Sequence, residues 1–410
     1  MVLVPVGIRR ELTEGGPSEG RFLVGDARRL LREMLPEYAG RVQLIYLDPP
    51  YMTGGKYAMR VRVGEKDWKA GKGSLELPSF DDNMGRGEYL DMMRDVLELS
   101  RELLRDEGML FLHVDFRASA YLRLMLDDVF GEENFLNEIV WAYQTGGRSR
   151  KYFSRKHDVI LFYRKTEAYA FDLDAVRETP TQPRSNHMRK HVDPDGRVYR
   201  SITSGGRTYT YYDDDPVAPG DVWDDVSHLQ QKDPERTGYD TQKPLALLTR
   251  IVRCASKEGD LVLDPFAGSS TTLEAAKKLN RNFIGIDQCP LTLNIARRRL
   301  EGAKASLELP EGETDAPACR AEFQPGVGFY HVSLEGYGPE AETWRDAVDG
   351  WSVGYLEGDA FHPLERFLRS RKQPELQTTL RLPVFEGTPA VCVYDVRGGC
   401  HCYIPDGKDE

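Results

Sequence analysis

The tetrapeptide Asp48-Pro49-Pro50-Tyr51 brings a carboxylate, a backbone carbonyl between prolines and an aromatic ring together at the end of an apolar run. That run, residues 42–47, has five apolar or aromatic residues in six positions, which predicts a strand buried on both faces. The prolines end the strand because neither donates a backbone hydrogen bond. The carboxylate and the carbonyl can accept the two N–H bonds of an exocyclic amino group, while Tyr51 can stack on its ring. The tetrapeptide therefore predicts a binding site for a flat, amino-bearing ring at a strand's carboxyl end.

A second stretch with chemical potential follows another predicted strand, at residues 261–263. Its residues are Asp264-Pro265-Phe266-Ala267-Gly268-Ser269, and a helix pattern comes next. The small residues allow a ligand to approach the backbone at the helix N-terminus. Asp287 ends the next predicted strand about twenty residues on, where a ribose diol is bound in nucleotide sites. Taken alone, an ordinary α/β turn has the same pattern, and the sequence contains neither Gly-x-Gly-x-x-Gly nor Gly-x-x-x-x-Gly-Lys.

The flanking sequence predicts an α/β protein in which strands and helices alternate around both stretches. Further predicted strands cover residues 21–25, 109–114, 137–143, 158–163 and 282–287. Predicted helices follow Asp26 and Pro290 and cover residues 88–105 and 117–130, with Gly108 as a C-terminal cap. The polar residues 52–87 lack this periodicity over much of their length and predict a lid, a binding loop or disorder.

Shifts in composition predict four regions. Residues 1–164 and 241–302 form two halves of the α/β domain. Residues 165–240 form an irregular insert rich in Asp, Arg, Tyr, Pro and Gly, with short hairpins around residues 199–202 and 209–211. Residues 303–320 are typical of a linker, and residues 321–410 form a small β-rich domain.

Composition and charge limit the classes to which the chain can belong. Its 410 residues carry a net charge of −11, so any nucleic-acid surface must be a local basic patch. No apolar run approaches membrane-spanning length and no signal-peptide pattern is present, which predicts a cytoplasmic protein without membrane contact. The six cysteines have no disulfide-like spacing and predict reduced thiols. His113 is predicted to be a structural, hydrogen-bonded histidine. His187 and His191 lack the further ligands of a zinc site, and so do the C-terminal cysteines near His401.

Three motifs, in one order, resemble the amino-group DNA methyltransferases of the β arrangement. The motifs are Asp48-Pro49-Pro50-Tyr51, Thr241-Gln242-Lys243-Pro244 and Asp264-Pro265-Phe266-Ala267-Gly268. In that family the half that holds the target base precedes the half that holds S-adenosylmethionine, with a target recognition module between them. The resemblance covers residues 20–300, including residues 221–225 and 238–239, while residues 321–410 only loosely resemble the tail domains of type III modification subunits. It implies a Rossmann-like methyltransferase sheet flanked by helices, with residues 165–240 as the recognition module.

The resemblance also implies roles for individual residues. Asp48 and the Pro49 carbonyl should accept the amino hydrogens of a flipped-out base, with Pro50 completing the motif and Tyr51 stacking on the base. The residues that should bind S-adenosylmethionine include Asp26 at the adenine, Asp287 at the ribose and Gln242, Lys243 and Pro244 near the methionine part. The same cofactor site should include Asp264, Pro265, Phe266, Ala267, Gly268 and Ser269.

Two residues depart from the pattern of the family. Ser270 stands where many members have a second glycine, and Asp287 where many have glutamate. The implied chemistry is direct displacement, in which an amino nitrogen attacks the sulfonium methyl without a covalent enzyme intermediate. Aspartate at position 48, where serine is frequent among cytosine-N4 enzymes, favours adenine N6.

Double-stranded DNA is the implied partner, and a homodimer and a cognate restriction endonuclease remain open. The residues expected to contact DNA form two basic clusters: Arg148, Arg150, Lys151, Arg155 and Lys156, and then Arg184, Arg189, Lys190, Arg197, Arg200 and Arg207. Three alternatives to an adenine-N6 DNA enzyme stay open. They are a cytosine-N4 enzyme, a methyltransferase that acts on RNA or another substrate, and a non-catalytic DNA-binding subunit.

Overall fold

The computed structural model describes residues 1–62, 74–143, 149–179, 188–309, 316–338, 344–370 and 372–406. The N-terminal strands are β1 (Val2–Val6), β2 (Arg10–Thr13), β3 (Glu19–Val24), β4 (Val42–Leu47), β5 (Lys56–Arg62), β6 (Ser74–Asp81), β7 (Leu104–Val114), β8 (Phe135–Ala142) and β9 (His157–Arg164). The middle strands are β10 (Arg189–Val192), β11 (Val198–Ser204), β12 (Arg207–Tyr212), β13 (Val222–Trp223), β14 (Leu261–Asp264), β15 (Asn282–Asp287) and β16 (Lys304–Glu308). The C-terminal strands are β17 (Cys319–Pro325), β18 (Phe329–Tyr337), β19 (Val348–Glu357), β20 (Ala360–Leu368), β21 (Thr379–Pro383), β22 (Thr388–Asp395) and β23 (Cys400–Pro405). The α-helices are α1 (Ala27–Tyr38), α2 (Arg86–Leu103), α3 (Ser119–Phe130), α4 (Leu245–Ala255), α5 (Thr271–Lys278), α6 (Thr292–Arg299) and α7 (Trp344–Ala347).

The central sheet runs in the order β16-β3-β15-β14-β4-β7-β9-β8-β13. Its strands from β16 to β7 are parallel, and β9 then pairs antiparallel with both β7 and β8. The register places Leu263 of β14 opposite Ile45 of β4. The two halves of the domain therefore meet at the pair β14–β4, in the Rossmann-like sheet that the sequence predicted.

Side chains of β4 show how the sheet is buried on both faces. Leu44 and Tyr46 pack into the apolar cluster on the side of α4, α5 and α6, whereas Ile45 and Leu47 pack into the cluster on the side of α1, α2 and α3. This alternation follows from the two-residue period of a strand. Each face lies against helices, which explains why the run is apolar throughout.

The segment after Tyr51 contains regular structure, although its sequence predicted a lid, a binding loop or disorder. Within residues 52–87 the structure places a hairpin of β5 and β6, with Tyr57 opposite Phe80 and Arg60 opposite Glu76. Its position is fixed by contacts that the local sequence does not reveal, since Arg60 N donates to the Gly238 carbonyl at 3.0 Å. Gly108 is also not a helix cap: α2 ends at Leu103, and Gly108 lies within β7.

The insert consists of a small sheet and a segment that returns to the core. β10, β11 and β12 form an antiparallel sheet, which contains both predicted hairpin regions. Residues 221–240 instead pack on the main domain: β13 extends the central sheet beside β8, and Trp141 Nε1 donates to the Val226 carbonyl at 2.8 Å. The irregular module is therefore smaller than residues 165–240.

The C-terminal domain is β-rich, as predicted, and continues the central sheet through β2 and β20. Its strands follow the order β20-β19-β22-β23-β1-β17-β18-β21, so the N-terminal β1 lies inside it. The join with the α/β domain contains a buried ionic cluster in which Glu11 contacts Arg297 at 2.7 Å, together with Arg366 and the Tyr394 hydroxyl. All of Glu11 and Arg297 is shielded from solvent, so the two domains share one core polar network.

Two of the six cysteines meet in the C-terminal domain. Cys392 and Cys402 are register partners on β22 and β23, and their sulfur atoms are in contact. Strand register brings them together, which their spacing in the sequence does not disclose. Within the described ranges, no group of three or more His, Cys, Asp or Glu side chains is placed to hold a metal ion. None of the described helices has the length and apolar character needed to cross a membrane.

Candidate active site

Four neighbouring strands deliver acidic residues to one edge of the central sheet. Asp48 directly follows β4, Asp264 ends β14 and Asp287 ends β15. β3 lies opposite β15, with Val24 beside Asp287, so Asp26 also emerges there. Because these strands are parallel, their carboxyl ends meet at the edge where open α/β sheets bind ligands.

A pocket of about 1300 Å³, including its open mouth, occupies this edge. It is lined by Asp26, by Asp48, Pro49, Pro50 and Tyr51, by Lys243, and by Asp264, Pro265, Phe266, Ala267, Gly268, Ser269 and Asp287. The structure thus brings together both stretches that the sequence singled out. Acids outnumber the basic residues Arg28 and Lys243 in the lining, so the pocket favours a ligand with positive charge.

Both carboxylate oxygens of Asp48 already have protein partners. Tyr51 Oη donates to Oδ1 at 2.5 Å, and Lys243 Nζ donates to Oδ2 at 2.5 Å. Lys243 also lies 5.2 Å from the centroid of the Tyr51 ring. Each carboxylate oxygen can accept a further hydrogen bond, so these contacts orient Asp48 without closing it to a ligand.

His113 packs against the tetrapeptide Asp48-Pro49-Pro50-Tyr51. Its ring stacks on Tyr51, with centroids 6.2 Å apart and planes 26° apart. The Tyr46 hydroxyl contacts Nδ1 at 2.8 Å, and Nε2 contacts Asp158 at 3.3 Å, so this fully buried ring is held in place as a structural histidine. Burial alone would raise the pKa of Asp158, but the contact with His113 and the charge of Lys243 outweigh it and lower that pKa.

The second half of the pocket is organised by Asp287. Its Oδ2 accepts a hydrogen bond from Gly268 N at 2.8 Å, and its Oδ1 accepts one from Cys289 N at 2.8 Å. Gly268 has φ +47°, and a Cβ there would lie 3.0 Å from the Tyr239 ring, so glycine suits this close approach. Burial raises the pKa of Asp287 to about 6. Burial likewise raises the pKa of Asp264 to about 7.

Ser270 stands at a position whose backbone favours glycine. Its φ is +57°, in the left-handed region that costs energy for residues with a Cβ. The Ser270 Oγ is buried and has no hydrogen-bond partner within the described part of the chain. The strained turn nevertheless places the loop of residues 266–270, which lines the pocket through Phe266, Ala267, Gly268 and Ser269, directly before α5.

Two residues expected at the cofactor do not line the pocket. Gln242 is buried and binds within its own segment, since Oε1 accepts from Thr237 N at 2.8 Å and Nε2 donates to the Glu235 carbonyl at 2.9 Å. Pro244 precedes α4 at its N-terminus. Of this motif, Thr241 and Lys243 line the pocket, and Lys243 contacts Asp48.

The sequence analysis missed an aromatic wall and the acid that supports it. Tyr57 and Phe80 of the hairpin stack with centroids 4.6 Å apart, and Phe80 continues the stack toward Tyr239 at 6.4 Å. All three line the pocket. Asp82 accepts hydrogen bonds from Met52 N and Thr53 N and so fixes the turn after Tyr51. A hairpin pattern in residues 56–81 was the available signal, obscured by the polar residues between the strands.

The basic residues predicted to contact DNA fall into three groups. Arg148 and Arg184 lie outside the described residues. Exposed positions are occupied by Arg150, Lys151, Arg155, Arg189, Lys190 and Arg207, and Lys156 is partly buried. Arg197 and Arg200 instead form ion pairs within the insert, to Asp214 at 2.7 Å and to Asp213 at 2.9 Å. Much of their charge is therefore neutralised by the insert itself.

The sheet order and the acidic pocket at its switch in strand order define a Rossmann-like, nucleotide-binding class of enzyme. A family model described as DNA methylase matches residues 42–298, and the chain belongs to that family.

The chain is also similar to individual DNA methyltransferases. The chain is 28% identical over 332 residues to the type II methyltransferase M.EcaI of Enterobacter cloacae, covering 70% of each protein. It is 27% identical to the DNA adenine methyltransferase YhdJ of Escherichia coli (strain K12), covering 72% of this chain and 86% of that protein. Among solved structures, the cytosine-N4-specific PvuII DNA methyltransferase aligns with a TM-score of 0.45 and 15% identity, covering 70% of this chain and 90% of that one.

As a member of this family the chain is a DNA methyltransferase that uses S-adenosylmethionine. The pocket fits this cofactor chemically. The sulfonium and ammonium groups are cationic, and Asp264 and Asp287 supply carboxylates on the side of the pocket formed by β14 and β15. Phe266 adds an apolar face to the lining.

Proposed function

We propose that this enzyme methylates the N6 amino group of adenine in DNA, after the adenine has left the double helix. The observation that carries the proposal is one shared pocket, lined by Asp48, Pro49 and Tyr51 together with the acids Asp264 and Asp287. One side suits an amino-bearing ring, and the other suits a cationic nucleoside. A base inside a duplex cannot reach such a recessed site, so flipping is required.

The proposed chemistry follows from the donors and acceptors of the chain. The Asp48 carboxylate and the Pro49 carbonyl accept the two amino hydrogens, which localises the nitrogen lone pair that the ring otherwise delocalises. S-adenosylmethionine supplies the electrophilic methyl. A bond forms between the amino nitrogen and the methyl carbon, the carbon–sulfur bond breaks, and one amino proton leaves to solvent. Tyr51 positions the base by stacking, while Lys243 holds Asp48 in orientation.

Three observations support adenine as the target. Position 48 is aspartate, which resembles the adenine enzymes of this family, and one of the relatives is named a DNA adenine methyltransferase. The aromatic residues Tyr51, Tyr57 and Phe80 in the lining offer more stacking area than a small ring needs.

The test is to express the protein in a host that lacks adenine methylation and to map modified bases in its DNA. We expect N6-methyladenine in one short motif, and none with Asp48→Ala. The variant should still bind S-adenosylmethionine in calorimetry, because Asp48 lies on the base side. Methyl groups on cytosine N4 would overturn the choice of base. A variant that keeps more than about a tenth of the wild-type rate, which is less than about 1.4 kcal/mol of barrier, would remove Asp48 from its role.

We also propose a cytoplasmic enzyme whose exposed small sheet, β10 to β12, reads the DNA sequence. The support is the position of this sheet in the sequence, between the two halves of the domain, and its exposed Arg189, Lys190 and Arg207.

Several relatives are named as restriction-modification components, including the type III StyLTI Mod subunit of Salmonella typhimurium. A cognate endonuclease is therefore a further proposal, tested by whether the mapped methylation protects DNA from a nuclease encoded beside this gene. Sedimentation with and without DNA tests for a homodimer.

A further inference from the structure

The loop of residues 149–156 emerges beside the catalytic motif. It leads into β9, which pairs with β7, and β7 pairs with β4, the strand that ends at Asp48. Val159 lies opposite Val114 at the carboxyl end of β7. Asp158, at the base of the loop, contacts His113, and His113 stacks on Tyr51. The loop and the base-binding residues therefore occupy the same edge of the sheet.

Internal hydrogen bonds shape this loop before any ligand binds. Ser149 N donates to Ser154 Oγ at 3.2 Å, and Ser149 Oγ accepts from Lys151 N at 3.2 Å and from Tyr152 N at 3.3 Å. Arg155 is packed between two rings, 3.7 Å from the Phe116 centroid and 4.7 Å from the Tyr152 centroid. An ordered loop loses less entropy on binding than a mobile one.

Phe153 in this loop has an exposed fraction of 99%. Its neighbours Arg150, Lys151 and Arg155 are exposed as well, on a protein whose net charge is −11. A fully exposed phenylalanine gains nothing from burial within its own chain. Cations around a protruding aromatic ring match the chemistry of a nucleic-acid duplex, in which phosphates surround stacked bases.

We propose that Phe153 is a wedge that enters the DNA base stack beside the target and occupies the space that the flipped base leaves. This inference rests on the proposed function, because a gap in the stack exists only if the base moves into the pocket. Apolar side chains inserted between base steps are an established way for proteins to distort DNA, and unstacking has a cost that such contacts offset. Arg150, Lys151 and Arg155 would hold the phosphates on either side.

The experiment compares wild type and Phe153→Ala on a duplex that contains the mapped motif. On a matched duplex we expect methylation by the variant to fall about tenfold or more, because the vacated stack stays unfilled. On a duplex with a mismatch opposite the target adenine, the loss should shrink to within about threefold, because an unpaired base leaves the stack at lower cost. With 2-aminopurine at the target position, the fluorescence increase on binding should be smaller for the variant than for wild type.

Two control variants make the comparison specific. Val327→Ala removes another side chain that is 97% exposed, on the C-terminal domain, and should leave both duplexes unaffected. Phe153→Trp keeps a stacking ring and should retain most of the wild-type rate. Equal losses on the matched and mismatched duplexes, or no loss on either, would overturn the wedge.

Failure of the proposed function would be seen in a different measurement. It would appear as wild-type protein that does not methylate adenine in any motif, before a variant is compared. In that case the wedge falls together with the function on which it rests. A wild type that methylates normally and a Phe153→Ala variant that behaves identically refute the wedge alone.

Discussion

Lys243 Nζ lies 2.5 Å from Asp48 Oδ2, although the two residues are 195 positions apart in the chain. The side chains are only 10% and 16% exposed, so the ion pair is mostly shielded from water. The ion pair links the segment before α4 to the end of β4, where the two halves of the domain meet. The carboxylate that should receive the target base is thus oriented by the half that should hold the cofactor.

Replacing Lys243 should therefore impair both folding and catalysis. Lys243→Met leaves Asp48 without its cationic partner in a largely enclosed pocket, which should lower the free energy of unfolding by about 1–3 kcal/mol. Methyl transfer should fall more than about tenfold, since Asp48 loses its fixed orientation. Lys243→Arg keeps the charge and serves as the matched control. Denaturant titration and single-turnover rates measure the two effects, and a Met variant with wild-type values for both would refute the interpretation.

The pH dependence of cofactor binding should follow Asp264. Burial raises its pKa to about 7, so the carboxylate is charged above that pH and neutral below it. Affinity for the cationic cofactor should therefore rise between about pH 6 and pH 8. Binding within this range should release a proton from Asp264. Calorimetry in buffers of different ionisation enthalpy detects that proton. Asp264→Asn should flatten the profile, and an unchanged slope in this variant would assign the proton elsewhere.

The raised pKa values of Asp264 and Asp287 also make stability depend on pH, but stability falls over the range in which cofactor affinity rises. The folded pKa of Asp264 lies near 7 and that of Asp287 near 6, both above the ordinary value for aspartate. The native state then binds more protons than the unfolded chain. Their contribution to stability is complete below about pH 4 and is lost as the pH rises through 6 and 7.

Asp287 should govern cofactor affinity in two ways. It supplies a carboxylate to the pocket, and it holds Gly268 N and Cys289 N. Asp287→Ala should weaken binding of S-adenosylmethionine by about 1–3 kcal/mol, as is usual when a charged hydrogen bond is lost. Asp287→Asn keeps one acceptor and should lose less. If calorimetry gives the wild-type dissociation constant for Asp287→Ala, the ribose is bound by other residues.

The effect on DNA binding of replacing an arginine in the small sheet should depend on whether that arginine is ion-paired within the insert. Arg189 and Arg207 are exposed, so Arg189→Gln and Arg207→Gln should each weaken DNA binding or relax the methylated motif. Arg197 is paired with Asp214 and Asp215, so Arg197→Gln should change affinity for DNA least. Fluorescence anisotropy over a range of salt concentrations, together with motif mapping, distinguishes phosphate contacts from base contacts. Three variants with wild-type affinity, salt slope and motif would show that recognition lies elsewhere.

Glu11 should be essential for joining the two domains. Burial alone would raise its pKa, but Arg297 and Arg366 outweigh burial and lower that pKa. Glu11→Gln leaves two arginines without their carboxylate and should cost about 3–5 kcal/mol of stability. The contribution of Glu11 should be present above about pH 4.3 and lost as the pH falls through its lowered folded value. Thermal melting of the variant at pH 7 tests the magnitude. A melting temperature equal to that of wild type would show that the cluster adds no net stability.

Local sequence was sufficient where one pattern dictates one structure. The apolar run before Asp48 is the strand buried on two faces that its composition predicted, and the helix predicted after Asp26 is α1. The order of the motifs likewise indicated the family, because each motif keeps its chemistry in a short stretch. These features depend on neighbours within a few positions, which is the range over which spacing and propensity act.

Only the tertiary structure decided which distant residues meet. Strand register set Cys392 opposite Cys402, and the fold of the segment before α4 brought Lys243 to Asp48 while turning Gln242 toward Thr237. Docking of the β5–β6 hairpin on Gly238 created the aromatic wall, although the same residues look like a loop in the sequence. Such contacts join side chains far apart in the chain, and their geometry depends on packing rather than on local pattern. The sequence by itself determined the strands of the sheet and the residue types of each motif. The packing of the whole chain determined which charged and aromatic side chains line the pocket and which contacts orient them.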